Sequence, residues 1–326
     1  MLSRRTLLGS AIGAGLLPLR LARAADKPKD IRIDWATYNP VSMVLKEQGL
    51  LEKEFDKDGI GIVWVQTLGS NKALEFLNAG SIDFGSTAGS AALLSKINGN
   101  PIKSIYVYSR PEWTALVTRK DTTIQKITDL RGKRVAVTRG TDPYIFLLRA
   151  LDRFGMGEND IQMVLLQHPD GKTALIRGDV DAWAGLDPYM AQTELEDGSR
   201  LFFRDPSLNT YGFLNAREDF IKQHPDETLR LLQVYERGRQ WSLANPDGLR
   251  DTLAKAAKLP APVAAKELER TDLSNPVIGK QHRDAIVAAG GVLKKAAIVP
   301  AGIDIAKVAD ALIDPRFGAK LDVKKA

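Results

Sequence analysis

One short pattern occurs twice in this chain, and it restricts the folds open to it. Lys72-Ala73-Leu74 leads into Gly80-Ser81-Ile82-Asp83-Phe84, and Lys172-Thr173-Ala174-Leu175 leads into Gly178-Asp179-Val180-Asp181-Ala182-Trp183. In each copy an apolar-striped helix ends at a glycine, which takes the left-handed turn at low steric cost, and an aspartate three residues later opens a short apolar strand. Each copy then runs into a second helix. A unit repeated once inside an alternating strand and helix pattern predicts two similar α/β lobes facing each other across a cleft.

The periodicity fills in the rest. Strands are expected at 31–36, 61–66, 82–85 and 102–108, with helices at 42–55, 70–79 and 89–97 between them, which is the order of a parallel sheet covered on both faces. A crossing strand at 116–118 precedes a second series: strands at 135–138, 163–166 and 180–184, and helices at 143–154, 171–177 and 188–195. A strand at 211–216 returns to the first lobe, and the chain beyond Glu218 reads as helices, including 226–243. The expected organisation is residues 1–24 as a leader, 25–112 with 213–326 as lobe I, and 113–212 as lobe II. The chain then crosses between lobes twice, and two crossings make a hinge.

The leader has the marks of an export signal. Arg4 and Arg5 precede an apolar stretch from Leu7 to Leu19, and Ala22-Arg23-Ala24 offers small residues for cleavage. Ser3-Arg4-Arg5-Thr6-Leu7-Leu8 also resembles a twin-arginine signal, and the general secretory route stays open beside it. Gly9, Gly13, Gly15 and Pro18 interrupt this stretch, which falls short of the roughly 20 residues that span a bilayer. Cysteine is absent, which excludes disulfides, thiol catalysis and a lipidated cysteine anchor. Of the 46 basic residues, Arg4, Arg5, Arg20 and Arg23 belong to the leader, so the net charge of +6 lies mostly there and no nucleic-acid surface is indicated.

Enzyme signatures fail when their spacing is checked. Gly171-Lys172-Thr173 mimics the end of a phosphate-binding loop, but its first glycine would fall at Leu166. Gly155-Met156-Gly157 and Gly59-Ile60-Gly61 lack their third glycines, at Asp160 and Trp64. No Gly-x-Ser-x-Gly elbow occurs, and His168, His224 and His282 lie far apart with no second ligand at metal spacing. No catalytic residue, metal or cofactor is expected. His168 and His224 each precede a proline at a helix start and read as structural.

What remains is a set of small polar residues where strands hand over to helices: Tyr38-Asn39-Pro40-Val41-Ser42, Gly69-Ser70-Asn71, Ser86-Thr87-Ala88-Gly89-Ser90, Gly140-Thr141-Asp142-Pro143 and Leu186-Asp187-Pro188-Tyr189. Backbone N–H groups and the positive end of the helix dipole converge at such places and favour anions. Each loop alone also reads as a helix cap; five around one cleft point to a ligand. The candidate ligand-binding residues are Tyr38, Asn39, Ser70, Thr87, Gly89, Ser90, Gly140, Thr141, Asp142, Trp183, Asp187 and Tyr211. Trp183 reads equally as core packing or as an apolar wall, and Tyr211 as a lid or a hinge packer.

These residues carry a resemblance. Gln48-Gly49-Leu50-Leu51-Glu52-Lys53, Gly80-Ser81-Ile82-Asp83-Phe84-Gly85, Asp129-Leu130-Arg131-Gly132-Lys133-Arg134-Val135-Ala136, Val180-Asp181-Ala182-Trp183-Ala184, Asp187-Pro188-Tyr189 and Tyr211-Gly212-Phe213 together resemble the periplasmic substrate-binding proteins of ABC importers for aliphatic sulfonates, in the group that also handles taurine, nitrate and pyrimidine precursors. The resemblance implies a type II periplasmic-binding-protein fold: two lobes, each with a mostly parallel sheet flanked by helices. It further implies a monomeric periplasmic receptor that closes on a small anionic organic ligand and delivers it to a membrane permease with its own ATPase. By that analogy the oxyanion sits near Thr87 and Gly89 and on the turn Gly140-Thr141-Asp142, with Trp183 and Asp187 nearby. Asp142 and Pro143 depart from the serine-rich turn of sulfonate binders, and Ala88 and Ser90 stand where an aspartate and prolines are usual. An ionised aspartate beside an anion is unfavourable unless it faces away or binds an amine or hydroxyl, so a heterocycle carrier, with Trp183 and Tyr38 stacking on a ring, remains the rival. A bilobal enzyme and an extracytoplasmic sensor module are the alternatives from other classes.

Overall fold

The computed structural model describes residues 27–323, and the expected leader lies outside them. Among the described residues no helix is long and apolar enough to cross a membrane. In chain order, β1 (Asp30–Trp35), β2 (Gly61–Gln66), β3 (Phe84–Ala88) and β4 (Ile102–Pro111) form part of a first sheet; β5 (Leu116–Thr118), β6 (Arg134–Val137), β7 (Gln162–Leu165), β8 (Ala182–Ala184) and β9 (Arg200–Phe203) form a second; β10 (Gly212–Arg217) and β11 (Thr271–Asp272) return to the first. The spatial orders are β11-β4-β10-β3-β1-β2 and β7-β6-β8-β5-β9. β1 pairs in parallel with β2 and β3, as β6 does with β7 and β8. β10 runs antiparallel between β3 and β4, and β5 antiparallel between β8 and β9. Each sheet thus holds one antiparallel strand in its interior, the one that arrives from the other lobe, and the first sheet has a second, the two-residue β11, antiparallel to β4 at its edge.

The sequence repeat is an arginine clip. In lobe I the Arg32 backbone N–H donates to Asp83 Oδ2 at 2.9 Å; its guanidinium donates to the same carboxylate through Nε at 3.1 Å and Nη2 at 2.6 Å, and to the Gly80 carbonyl at 2.5 Å. Lobe II repeats the arrangement. There the Arg134 backbone N–H donates to Asp181 at 2.9 Å, its Nε and Nη2 reach that carboxylate at 3.3 and 3.1 Å, and Nη2 also reaches the Gly178 carbonyl at 3.1 Å. Gly80 and Gly178 both hold positive φ, +67° and +81°, so a side chain there would strain the turn that exposes the carbonyl. One residue type at each corner therefore ties strand, turn and next strand together.

Four features differ from expectation, one being the two-residue β11, a strand in the stretch beyond Glu218 that reads as helices, held as an edge partner of β4. The helix expected at 42–55 is two helices, Pro40–Glu47 and Leu50–Phe55, because Gly49 takes φ +59° and turns the chain between them. β9 was not anticipated: its four residues are all half-buried, so they show no clear alternation. The helix after β7 begins at His168 rather than Gly171. Lobe I is completed by the helices Pro225–Ala244, Pro246–Ala257, Ala261–Leu268, Lys280–Lys295 and Ile305–Leu312, the longest of which packs on Pro40–Glu47.

The two clips differ in burial. Side-chain exposure is 3% for Asp83 but 28% for Asp181. Asp83→Ala should lower the free energy of unfolding by about 2–3 kcal/mol and Asp181→Ala by about 1 kcal/mol, measured by urea titration; equal losses would show that burial does not set the strength of the clip.

Candidate functional site

The carboxyl ends of the parallel strands in both sheets face each other, and six helices begin there: Pro40–Glu47, Ser70–Asn78 and Gly89–Ile97 from lobe I, and Asp142–Arg153, His168–Arg177 and Tyr189–Asp197 from lobe II. Between them lies a cavity of about 10 Å³, the room of roughly one water molecule, lined in part by Tyr38, Ser70, Trp113, Thr141, Asp142 and His168. The lobes are therefore closed on each other.

Asp142 is the hub of that closure. Its carboxylate is 1% exposed, and four donors from lobe I and both crossings converge on it. Oδ1 accepts from Ser90 Oγ at 2.5 Å and Thr210 Oγ1 at 2.8 Å; Oδ2 accepts from Trp113 Nε1 at 2.8 Å and the Thr210 N–H at 2.9 Å. A carboxylate offers about four acceptor sites, so all are filled. With the lobes closed, Asp142 has no acceptor site left for a ligand amine.

The backbone donors are distributed accordingly. At the start of Gly89–Ile97, the Ala88 N–H donates to Ser70 Oγ at 3.0 Å, Gly89 to the Tyr211 carbonyl at 3.1 Å and Ser90 to Thr210 Oγ1 at 3.2 Å. These amides, expected to be free, are occupied because the crossing 209–211 lies over the helix start. The amides of Ser70 and Asn71, and across the cavity those of Asp142 and Tyr144, have no partner among the described residues. The anion-favouring ends are thus the starts of Ser70–Asn78 and Asp142–Arg153.

The other expected residues fall into three groups. Tyr38 turns its ring toward the cavity, edge-on to Trp113 at 6.1 Å, while its hydroxyl meets Thr67 Oγ1 at 3.0 Å; beneath it Asp34, pushed by burial up to about 6, accepts from Ser86 and Thr67. Gly140 holds φ +78° and sets Thr141, whose hydroxyl donates to the Thr138 carbonyl at 2.6 Å. Asn39 and Thr87 face the interior of lobe I: Asn39 accepts from the Ser42 N–H at 3.3 Å and donates to Ser86 Oγ at 2.8 Å, and Thr87 Oγ1 accepts from Asn215 at 2.6 Å. Gly89 packs so closely that a Cβ would come 2.6 Å from Phe213. Trp183 is fully buried in the core of lobe II with Ala136, Leu175 and Met190, so of its two readings the structure shows core packing. Tyr211 stacks edge-on to His282 at 4.2 Å, outside the cavity lining.

The description "NMT1/THI5 like" belongs to the family whose profile matches residues 52–249. A putative aliphatic sulfonates-binding protein of Escherichia coli is 30% identical over 260 residues, covering 78% of this chain and 81% of that one. The chain belongs to the NMT1/THI5-like family of periplasmic binding proteins. The crystal structure of the Escherichia coli periplasmic aliphatic sulphonate binding protein SsuA superposes with a TM-score of 0.74 at 27% identity, covering 86% of this chain and 91% of that one. The alkanesulfonate-binding SsuA of Xanthomonas axonopodis pv. citri, solved with MOPS, shares the fold with a TM-score of 0.80 at 24% identity, over 87% of this chain and 99% of that one. The bilobal periplasmic-binding-protein architecture and the solute-binding role in an ABC importer, within the sulfonate-binding family, follow. The 4-amino-5-hydroxymethyl-2-methylpyrimidine phosphate synthase of Uromyces fabae, 27% identical over 60% of this chain and 61% of that one, shows that the family also contains enzymes.

In this family member a second contact joins the lobes. Asp187, 2% exposed, follows β8 and precedes the helix Tyr189–Asp197; it accepts from the Ala191 N–H at 2.8 Å and from Arg270 of lobe I at 3.2 Å. Arg270 also bonds Glu194, and Glu267 lies buried beside the group. Burial, only partly offset by Arg270, pushes the Asp187 carboxyl up to about 7, and burial likewise pushes Glu267 well up.

Residues missed by the sequence reading are Trp113, Thr210 and His168. The first two lie on the crossings, where no strand-end rule applies. His168 occupies the same strand-to-helix position after β7 as the residues that were selected, and the rule extended to that loop would have found it. Among the described residues no cluster of His, Cys, Asp or Glu fits a metal ion.

Two outcomes follow. Asp142→Ala should open the unliganded protein, read as an increased radius of gyration by small-angle X-ray scattering; an unchanged radius would show that the four-donor contact does not hold the lobes together. For Asp187, the folded state keeps a proton that the unfolded state releases from its ordinary value of 3.8 upward, so its contribution to stability falls as pH rises toward about 7 and then levels off. The stability of the wild type relative to Asp187→Asn should decline between pH 5 and 7, by up to about 1.4 kcal/mol per pH unit, and stay flat above; a difference independent of pH would place the carboxyl outside the network.

Proposed function

We propose that this protein is exported to the periplasm, binds an organic sulfonate between its lobes as a monomer and delivers it to a membrane permease. The observation that supports this reading is the pair of helix starts facing each other across the cavity, with the free amides of Ser70 and Asn71 on one side and of Asp142 and Tyr144 on the other. A tetrahedral oxyanion has enough acceptor oxygens to take donors from both lobes, each charge-assisted bond contributing roughly 1.5–3 kcal/mol net. The rings of Tyr38 and Trp113 supply an apolar wall for a short organic tail.

The cavity of about 10 Å³ is far smaller than any organic sulfonate, so entry goes with separation of the lobes. A ligand that touches both halves then favours a closed state that encloses it. Asp142 sets the level against which the ligand competes, because its carboxylate already joins the lobes. Energy for transport comes from a partner ATPase, since the chain carries no nucleotide loop.

The rival reading, a heterocycle carrier with Asp142 accepting a ring amine, is disfavoured by the filled carboxylate. Titration calorimetry of alkanesulfonates, taurine, sulfate esters, nitrate and thiamine-type pyrimidines should give a dissociation constant in the micromolar range, about −8 kcal/mol, for at least one sulfonate. Silence from every sulfur oxyanion, with heat from a pyrimidine, would replace this reading by its rival.

A further inference from the structure

His168 is fully buried at the first position of the helix His168–Arg177 and lines the interlobe cavity. Its two ring nitrogens have different surroundings. Nδ1 lies 3.2 Å from Thr138 Oγ1, and that hydroxyl donates its only proton to the Leu166 carbonyl at 2.7 Å. A carbonyl can only accept, so the Thr138 oxygen is left to accept from Nδ1–H. The tautomer follows: Nδ1 carries the proton, and Nε2 carries a lone pair.

That lone pair has no partner. Nε2 is aimed across the cleft at lobe I, where a methyl group on Gly69 would lie 3.0 Å from it and 2.9 Å from Asn71 Oδ1, a second buried acceptor atom without a partner. Gly69 is the residue that precedes the free amides of Ser70 and Asn71. A buried acceptor left empty costs free energy, whereas one that meets a donor recovers it. Burial also pushes the imidazole down to about 3, which opposes the alternative of a charged ring facing an anion.

We propose that His168 Nε2 accepts a hydrogen bond from the bound ligand and selects oxyanions that also carry an N–H or O–H donor, such as amino- or hydroxyalkanesulfonates, over plain alkanesulfonates. This rests on the sulfonate reading of the cleft. The oxyanion takes the amides at the start of Ser70–Asn78, and the donor at the other end of a short chain reaches Nε2 beside them. A ligand that lacks the donor leaves the acceptor buried and unpaired, which is where a built site discriminates most strongly.

The test is a matched series on the full chain: ethanesulfonate, 2-hydroxyethanesulfonate and 2-aminoethanesulfonate, titrated by calorimetry at pH 7.5 in two buffers of different ionisation enthalpy. The wild type should bind at least one donor-bearing ligand about 10-fold or more tighter than ethanesulfonate, without proton uptake. His168→Leu should remove that preference, and His168→Gln, whose amide oxygen can stand in for Nε2, should keep most of it. Sulfonate binding without a preference, or with uptake of a proton at His168, would overturn the selector while leaving the sulfonate reading intact; no binding by any sulfonate would overturn both. Nitrogen-15 NMR of the imidazole reads the tautomer independently of the variants, and a proton on Nε2 of the unliganded protein would also overturn the assignment.

Discussion

The two lobes and both crossings meet at one carboxylate. Asp142 sits at the start of a lobe II helix, yet its four donors come from a lobe I helix start and from both crossings. A buried carboxyl group without a cation in contact is tolerable only when its oxygens are saturated with hydrogen bonds, and that requirement fixes the relative placement of three chain segments. It also determines which helix starts remain open. Thr210, in reaching Asp142, brings the second crossing over Gly89–Ile97 and occupies amides that would otherwise face a ligand. The anion-favouring role passes to Ser70–Asn78 and Asp142–Arg153.

The fold was legible because its main determinants are local. A glycine ending each helix, an aspartate three residues later and an apolar strand after it recur at fixed offsets, and the Arg32 and Arg134 clips show what the offsets serve. The sequence reading captured the aspartates but not their arginines, since those lie 51 and 47 residues upstream and nothing local joins them. The break at Gly49 was equally hard to see: the apolar stripe continues through it, and only the backbone conformation interrupts the helix.

The candidate site was legible by location more than by side chain. Choosing loops at strand ends led to Tyr38, Ser70, Thr141 and Asp142, all on the cavity. It also admitted Asn39 and Thr87, which stand in those loops but turn inward to satisfy buried partners of lobe I. Which way a side chain points depends on distant groups such as Tyr235 and Asn215, and no spacing rule encodes them. Asp142 itself was recognised as awkward beside an anion; the resolution, donors supplied by Trp113 and Thr210, required the two crossings to be placed in space.

The antiparallel strand inside each sheet has a consequence for how the chain assembles. β3 and β4 are neighbours in sequence but not in space, because β10 lies between them and is made only after the whole of lobe II. The first sheet therefore cannot be completed without residues 212–217, which supply the strand that joins β3 to β4. β5 has no such dependence, since its partners β8 and β9 follow it within one uninterrupted segment. The sheet of the inserted segment can thus be completed from its own residues, whereas the sheet that begins the chain depends on a strand from beyond the insertion.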